Sequence, residues 1–284
     1  MTAQYQPRIP VSFKNEAGTE TIDFGRAEYS FEFETGLYTP EALLSGGHGS
    51  LDLLGDSAAV KQPAMLRLAY TALEDAPETV DASIDAILEK CFRFGRGQIV
   101  TEGRTGAGGT VTRWARARAT AMPRLSWEAG MIFTKAVVLG FRCEPFWKAD
   151  TALDIDSTGT QEITLSANPQ TFNITNDGTA PVYDPVIELR GTYTNPVIWN
   201  LTTDQRLAIV ATGTSASTRV RFDAGRPAVE TSVNGGATWT AAYASFQRNP
   251  GQVALMRLDP GVNQFRVHGA SGATFKLTAY AAYH

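Results

Sequence analysis

Most apolar residues of this chain fall at every second position. Ile9, Val11 and Phe13 alternate with polar or small neighbours, as do Ile22 and Phe24, and then Tyr29, Phe31 and Phe33. Successive side chains of a strand point to opposite faces, so each set predicts a strand with one buried face. The turn residues 15–19 separate the first two sets. Residues 45–49 (SGGHG) read as a glycine loop. Leu51, Leu53 and Leu54 follow it, and Met65, Leu66, Leu68 and Tyr70 predict a further strand. The strongest alternation lies within 131–147 (MIFTKAVVLGFRCEPFW). There Val137, Leu139, Phe141 and Cys143 share one face, and Val138, Gly140 and Arg142 share the other. Pro145 ends that strand, because it has no N–H for a ladder and holds Glu144 extended. Phe146 and Trp147 then add two large apolar side chains at the stop.

The period changes once. Val80, Ile84, Ile87, Leu88 and Cys91 recur at helical spacing and make one apolar stripe. Asp75 and Glu78 have capping-box spacing, with Pro77 in the first turn. Asp81 and Asp85 lie near the N-terminal end, where the helix dipole favours negative charge, and Gly95 is the expected stop. A helix packed on a sheet is predicted, with nothing catalytic on it. After Lys148 the composition turns small and polar through residue 166, which reads as a linker. The expected domains are therefore 1–148, bearing the helix, and 149–284.

From Gln161 onward no helix signal appears. Short apolar sets around Ile163, Phe172, Ile187, Ile198, Leu207, Val220, Leu255, Phe265 and Phe275 alternate with turn residues, which predicts a sandwich or barrel. Asn176-Asp177-Gly178 reads as a tight turn and Asn234-Gly235-Gly236 as a hairpin. Residues 232–239 (SVNGGATW) resemble one Asp-box hairpin with Asn in place of Asp. A propeller needs several such repeats and only one is found. The fold class expected is mainly β: a β-sandwich-like N-terminal domain with one helix, then a C-terminal β-sandwich.

Composition bounds the function classes. A chain of 284 residues, 43% hydrophobic and 19% charged, has room for two domains of about 100–200 residues each. No run of about 18 apolar residues predicts a membrane span. The opening MTAQYQPRIP lacks the apolar core of a secretory signal, so assembly in the cytoplasm is expected. Cys91 and Cys143 both sit in apolar patterns and read as buried free thiols. The net charge of −4 speaks against a general nucleic-acid binder.

Charge is nevertheless one-sided between residues 91 and 124. Seven arginines (93, 96, 104, 113, 116, 118 and 124) face the single acid Glu102. Trp114, Arg116 and Arg118 alternate with Ala115, Ala117 and Ala119. The arginines Arg113, Arg116 and Arg118, with Trp114, read either as a contact surface for acidic partners or DNA in transit, or as a solvated strand face whose arginine stems cover apolar surface. Residues 103–109 (GRTGAGG) read as a flexible hairpin tip or loop. They lack the Gly-Lys-Ser/Thr ending of a phosphate loop.

No catalytic constellation is legible. His48, His268 and His284 are far apart in sequence, and metal ligation needs clustered donors. Asp150, Asp154 and Asp156 lack the spacing of an EF-hand loop and read as solvated linker. Glu144 stands beside aromatics without a second carboxylate, and glycoside hydrolysis needs a pair. Neither an enzyme nor a cofactor is expected.

Several motifs fall in one order. Residues 141–147 (FRCEPFW) resemble the F-x-x-x-P-F-W signature that closes the N-terminal domain of siphophage distal tail proteins. Residues 176–191 (NDGTAPVYDPVIELRG) resemble the N-x-G-t-x-P-x-x-P-x-I-x-l-x-G start of that family's C-terminal domain, with three residues between Pro181 and Pro185 instead of two. Asn195-Pro196, Asn200-Leu201-Thr202-Thr203 and 258–263 (LDPGVN) follow as in the family. The resemblance implies a six-fold homo-oligomeric ring of N-terminal domains around the tail channel, with galectin-like β-sandwich domains projecting outward. Its partners would be the tail tube protein, the tail-tip or baseplate hub protein and receptor-binding proteins, with DNA only passing through. It places the protein in the virion and puts Glu144, Pro145, Phe146 and Trp147 at the domain junction. The rival reading is a module for host envelope glycans, with Trp199, Trp239 or Tyr243 as stacking platforms.

Overall fold

The computed structural model describes residues 9–24, 29–34, 37–38, 41–43, 50–52, 60–61, 64–73, 77–104, 110–126, 134–144, 146–248 and 256–283. The glycine loop at 45–49, Asp75, residues 105–109, Pro145, Leu255, His48 and His284 lie outside them. The chain divides into two compact units, Met1–Trp147 and Lys148–His284.

In the first unit the alternating segments join one antiparallel sheet. Its strands run in the order Thr21–Asp23, Ile9–Asn15, Arg96–Arg104, Thr110–Ser126, Thr134–Cys143, Ala64–Leu73 and Tyr29–Glu34. The helix Pro77–Phe94 packs against Thr134–Cys143 and Ala64–Leu73. It ends at Gly95, whose φ of +57° is the left-handed position that glycine reaches without strain. Ile84 and Cys91 are buried, and Ile87 and Leu88 pack on the same core. Across from them lie Phe13, Phe24, Ala115, Ala117, Phe141 and Cys143. The Phe13 and Phe141 rings meet at 4.9 Å between centroids. One face of the sheet is thus covered by the helix. Alternation puts Trp114, Arg116, Arg118 and Arg142 on the other face.

The second unit is a β-sandwich. One sheet has the order Glu162–Thr164, Thr274–Thr278, Val186–Thr194, Thr212–Asp223, Ala228–Ser232 and Thr240–Ala241. The other has Gln170–Asn176, Gly261–His268, Val197–Asn200, Gln205–Ile209 and Phe246–Arg248. Rings cross between them: Phe172 meets Phe275 edge-on at 4.9 Å, and Phe222 meets Phe246 at 6.0 Å. The outer face of the first sheet is laced by charge. Glu162, Lys276, Glu188, Arg221 and Glu230 stand directly opposite one another across five strands, alternating in sign. Arg190 closes on Glu162 from the next row, and Arg219 on Glu188 at 2.9 Å.

One expectation needs correction. Residues 149–166 are not a linker. They carry the strand Trp147–Ala152, and Leu153, Ile155 and Leu165 are buried. Their polar residues satisfy backbone: Asp154 accepts from the Gly159 N–H at 2.8 Å, and Asp156 from the Asn173 N–H at 2.6 Å. The tight turn at 176–178 does not join neighbouring strands. Gln170–Asn176 and Val186–Thr194 belong to different sheets, so the segment crosses the sandwich. Asn176, 1% exposed, donates to the carbonyls of Ala180 and Leu258 and accepts from the Gly178 N–H.

The asparagines of the sequence motifs converge on one segment. Asn200 donates to the Arg257 carbonyl at 2.9 Å and to Asn263 Oδ1 at 3.4 Å. Asn263 brackets Asp259, accepting from its N–H at 2.9 Å and donating to its carbonyl at 2.7 Å. Gln205 accepts from the Arg257 N–H at 2.8 Å. Leu258 pairs with the Val182 backbone, but Arg257 and Asp259 lie outside both sheets, so their backbone groups need side-chain partners. Amide side chains, which both donate and accept, supply them.

Candidate functional site

Strand register gathers the arginines. Arg118 lies directly opposite Arg96 on one neighbouring strand and Arg142 on the other. All three are exposed, and none has a carboxylate partner among the described residues. Like charges directly opposite on a sheet repel. The row Arg96–Arg118–Arg142 therefore costs the unit stability when empty, in contrast to the sign-alternating row of the second unit. The three arginines border a cleft of about 300 Å³ that also includes Arg116, Ala117, Cys143 and Glu144. Arg116 faces Glu144 at 3.6 Å, and the Glu144 N–H donates to the Arg116 carbonyl at 2.8 Å. The Cys143 thiol is pushed up to about 12, first by burial and then by the Glu144 charge, so it stays protonated and unreactive near neutral pH. Guanidiniums bind carboxylates and phosphates through paired N–H donors. The cleft is built to take more than one anionic group.

The four residues anticipated on the arginine strand separate. Arg116 and Arg118 join the cleft. Trp114 lies on their face but is 8% exposed, opposite the equally buried Val100. Arg113 falls on the opposite face, being one residue out of phase. Arg96 and Arg142 complete the site and were not singled out. Neither stands out in its own strand, and only the cross-strand register places it beside Arg118. Of the junction residues, Trp147 is in the helix-side core, while Glu144 and Phe146 are half-buried. No group of three or more His, Cys, Asp or Glu is placed to hold a metal among the described residues.

Of the three aromatic platforms, Trp239 has its ring face covered. Arg221 stacks on the Trp239 ring at 4.1 Å, and the Asn234–Thr238 hydrogen bonds hold that hairpin in the expected Asp-box manner. Trp199 donates to Asp204 at 3.1 Å, and the Tyr243 hydroxyl donates to the Pro227 carbonyl at 2.7 Å.

The chain shares its fold with chains of two phage tail and baseplate structures. It superposes on the phage SPP1 Dit protein (gp 19.1) with a TM-score of 0.54 at 14% identity, over 96% of this chain and 99% of that chain. SPP1 Dit is described as a paradigm of the hub adsorption apparatus in phages infecting Gram-positive hosts. It also superposes on chains of the phage p2 baseplate, in its activated conformation with Sr and with Ca. Both give a TM-score of 0.55 at 9% identity, over 94% of this chain and 96% of that chain. At these identities the likeness is one of fold. No protein-family model and no curated protein matches the chain.

Proposed function

We propose that the chain is a structural protein of a phage tail: a hub at its distal end that connects the tail tube to the tip or baseplate and its receptor-binding proteins. The observation that carries this reading is end-to-end agreement with the SPP1 Dit fold, over 96% of one chain and 99% of the other. A shared core covering both units is more specific than a shared sandwich, which hosts many functions. On this reading residues 1–148 form the ring, with six copies around the channel, and residues 149–284 form a galectin-like domain that projects outward. DNA passes through the channel without being held. The protein acts in the virion, is assembled in the host cytoplasm and performs no catalysis. The arginine cleft is a contact surface of the ring-forming unit. The Arg221 stack on the Trp239 ring supports a scaffold over a glycan-binding module.

The test is the solution mass by light scattering with negative-stain images of the same sample. A closed particle of about six subunit masses with a central hole is expected. A chain that stays monomeric at every concentration overturns the self-closing ring.

A further inference from the structure

Among its described residues the first unit carries an arginine row on one face of its sheet and a line of carboxylates on the helix that covers the other. The helix Pro77–Phe94 turns Asp81, Asp85, Glu89 and Phe92 to the outside, all of them exposed. Asp81, Asp85 and Glu89 recur every four residues and so form one line along the helix. Phe92 extends that line as a large apolar ring, 57% exposed. Lys90 lies off it, and Arg93, the next step of the same line, is engaged by Glu20. Asp85 and Glu89 have no cationic partner among the described residues. On the far side of the same sheet lies the uncompensated row Arg96–Arg118–Arg142.

The spacings match. Four helical residues rise about 6 Å, so the three carboxylates span about 12 Å. Adjacent strands lie about 4.8 Å apart, so the three arginines span about 10 Å. A helix laid across the strands along the arginine row brings each carboxylate to a guanidinium. It also brings Phe92 to the end of the row, where an arginine can cover the ring.

We propose that the occupant of the arginine cleft is a second copy of this chain: the acidic helix face of one subunit docks on the Arg96–Arg118–Arg142 row of the next. This rests on the ring reading and names the contact that closes the ring. The two patches are different surfaces of one unit, so the contact is head-to-tail and each copy offers both halves. Such a contact propagates until it closes. A two-fold contact that sets either patch against itself is opposed by like charge.

The experiment uses two charge reversals in the full chain, Arg118→Glu with Arg142→Glu, and Asp85→Lys with Glu89→Lys. All four side chains are exposed, so both variants keep the wild-type circular dichroism. Each alone is expected to be monomeric by light scattering where wild type is assembled, with association at least about a hundredfold weaker. Mixed in equal amounts they regain the wild-type particle, because every contact then again joins opposite signs. That recovery also shows both variants to be folded. Assembly of either variant alone, beside an assembled wild type, overturns this contact and leaves the ring reading standing. Wild type that is itself monomeric refutes both. If the arginine variant assembles normally but loses salt-sensitive binding of a 20-base-pair duplex, the row belongs to nucleic acid and the subunit contact is wrong.

Discussion

Asn263 offers the sharpest test of what the sequence motifs do. It is fully buried and forms three short hydrogen bonds: from the Asp259 N–H at 2.9 Å, to the Asp259 carbonyl at 2.7 Å and to the Gly261 carbonyl at 3.1 Å. Replacing it with Ala strands those backbone groups in a part-buried loop. At about 1 kcal/mol net for each bond, the expected loss is about 3 kcal/mol. With a urea dependence of about 2 kcal/mol/M for a domain of this size, the midpoint falls by about 1.5 M. Two compact units need not unfold together, so the readout must be local. Hydrogen exchange of peptides covering 170–176 and 261–268 in the full chain, taken through a urea series, reports the sandwich alone. Asn263→Asp should be at least as damaging, because a carboxylate would then face two carbonyl oxygens. Asn173→Ala, at an exposed position in the same unit, should stay within about 0.5 kcal/mol. A loss below about 1 kcal/mol for Asn263→Ala, or tolerance of Asn263→Asp, would show that the asparagine network does not hold this loop.

Three further outcomes follow from the geometry. A Cβ at Gly178 would sit 2.0 Å from the Ala282 carbonyl oxygen, a backbone clash, so Gly178→Ala should cost at least about 2 kcal/mol by thermal melt and loosen Tyr280–Tyr283 in hydrogen exchange. Burial pushes the Cys91 and Cys143 thiols up to about 12 from an ordinary value of 9.0. Their neutral burial therefore stabilises fully below pH 9 and is lost as pH rises toward 12, at up to about 4 kcal/mol per thiol. Melts at pH 8 and 10.5 should show the loss, and Cys143→Ala should remove about half of the pH dependence; a flat profile refutes it. A glycan array should give no sugar-dependent signal, because the Trp239 ring is already stacked by Arg221, and a signal abolished by Trp239→Ala would reverse that assignment.

Local pattern made a good part of this protein readable. The stripe from Ile84 to Cys91 and the stop at Gly95 emerged as one helix, because helical period and a left-handed C-terminal glycine are near-neighbour properties. The alternation around Phe141 emerged as a central strand with Phe141 and Cys143 in the core. The segment 149–166 misled because its polar residues resemble solvated linker. Asp154 and Asp156 instead bind backbone of their own unit while the few apolar residues among them are buried. At 176–178 the turn was legible but the partners of its asparagine were not: Asn176 donates to the carbonyls of Ala180 and of Leu258, the latter 82 residues away.

By itself, then, the sequence determined the elements and their buried faces, since period and turn chemistry act over a few residues. It also carried, in order, the asparagine motifs that betray the fold. Which arginines stand together was decided only by tertiary structure. Arg96, Arg118 and Arg142 come from three strands, and a one-residue slip in either pairing would send one of them to the helix-covered side. Long-range register, fixed by which faces the core buries, turned three scattered charges into one unbalanced row.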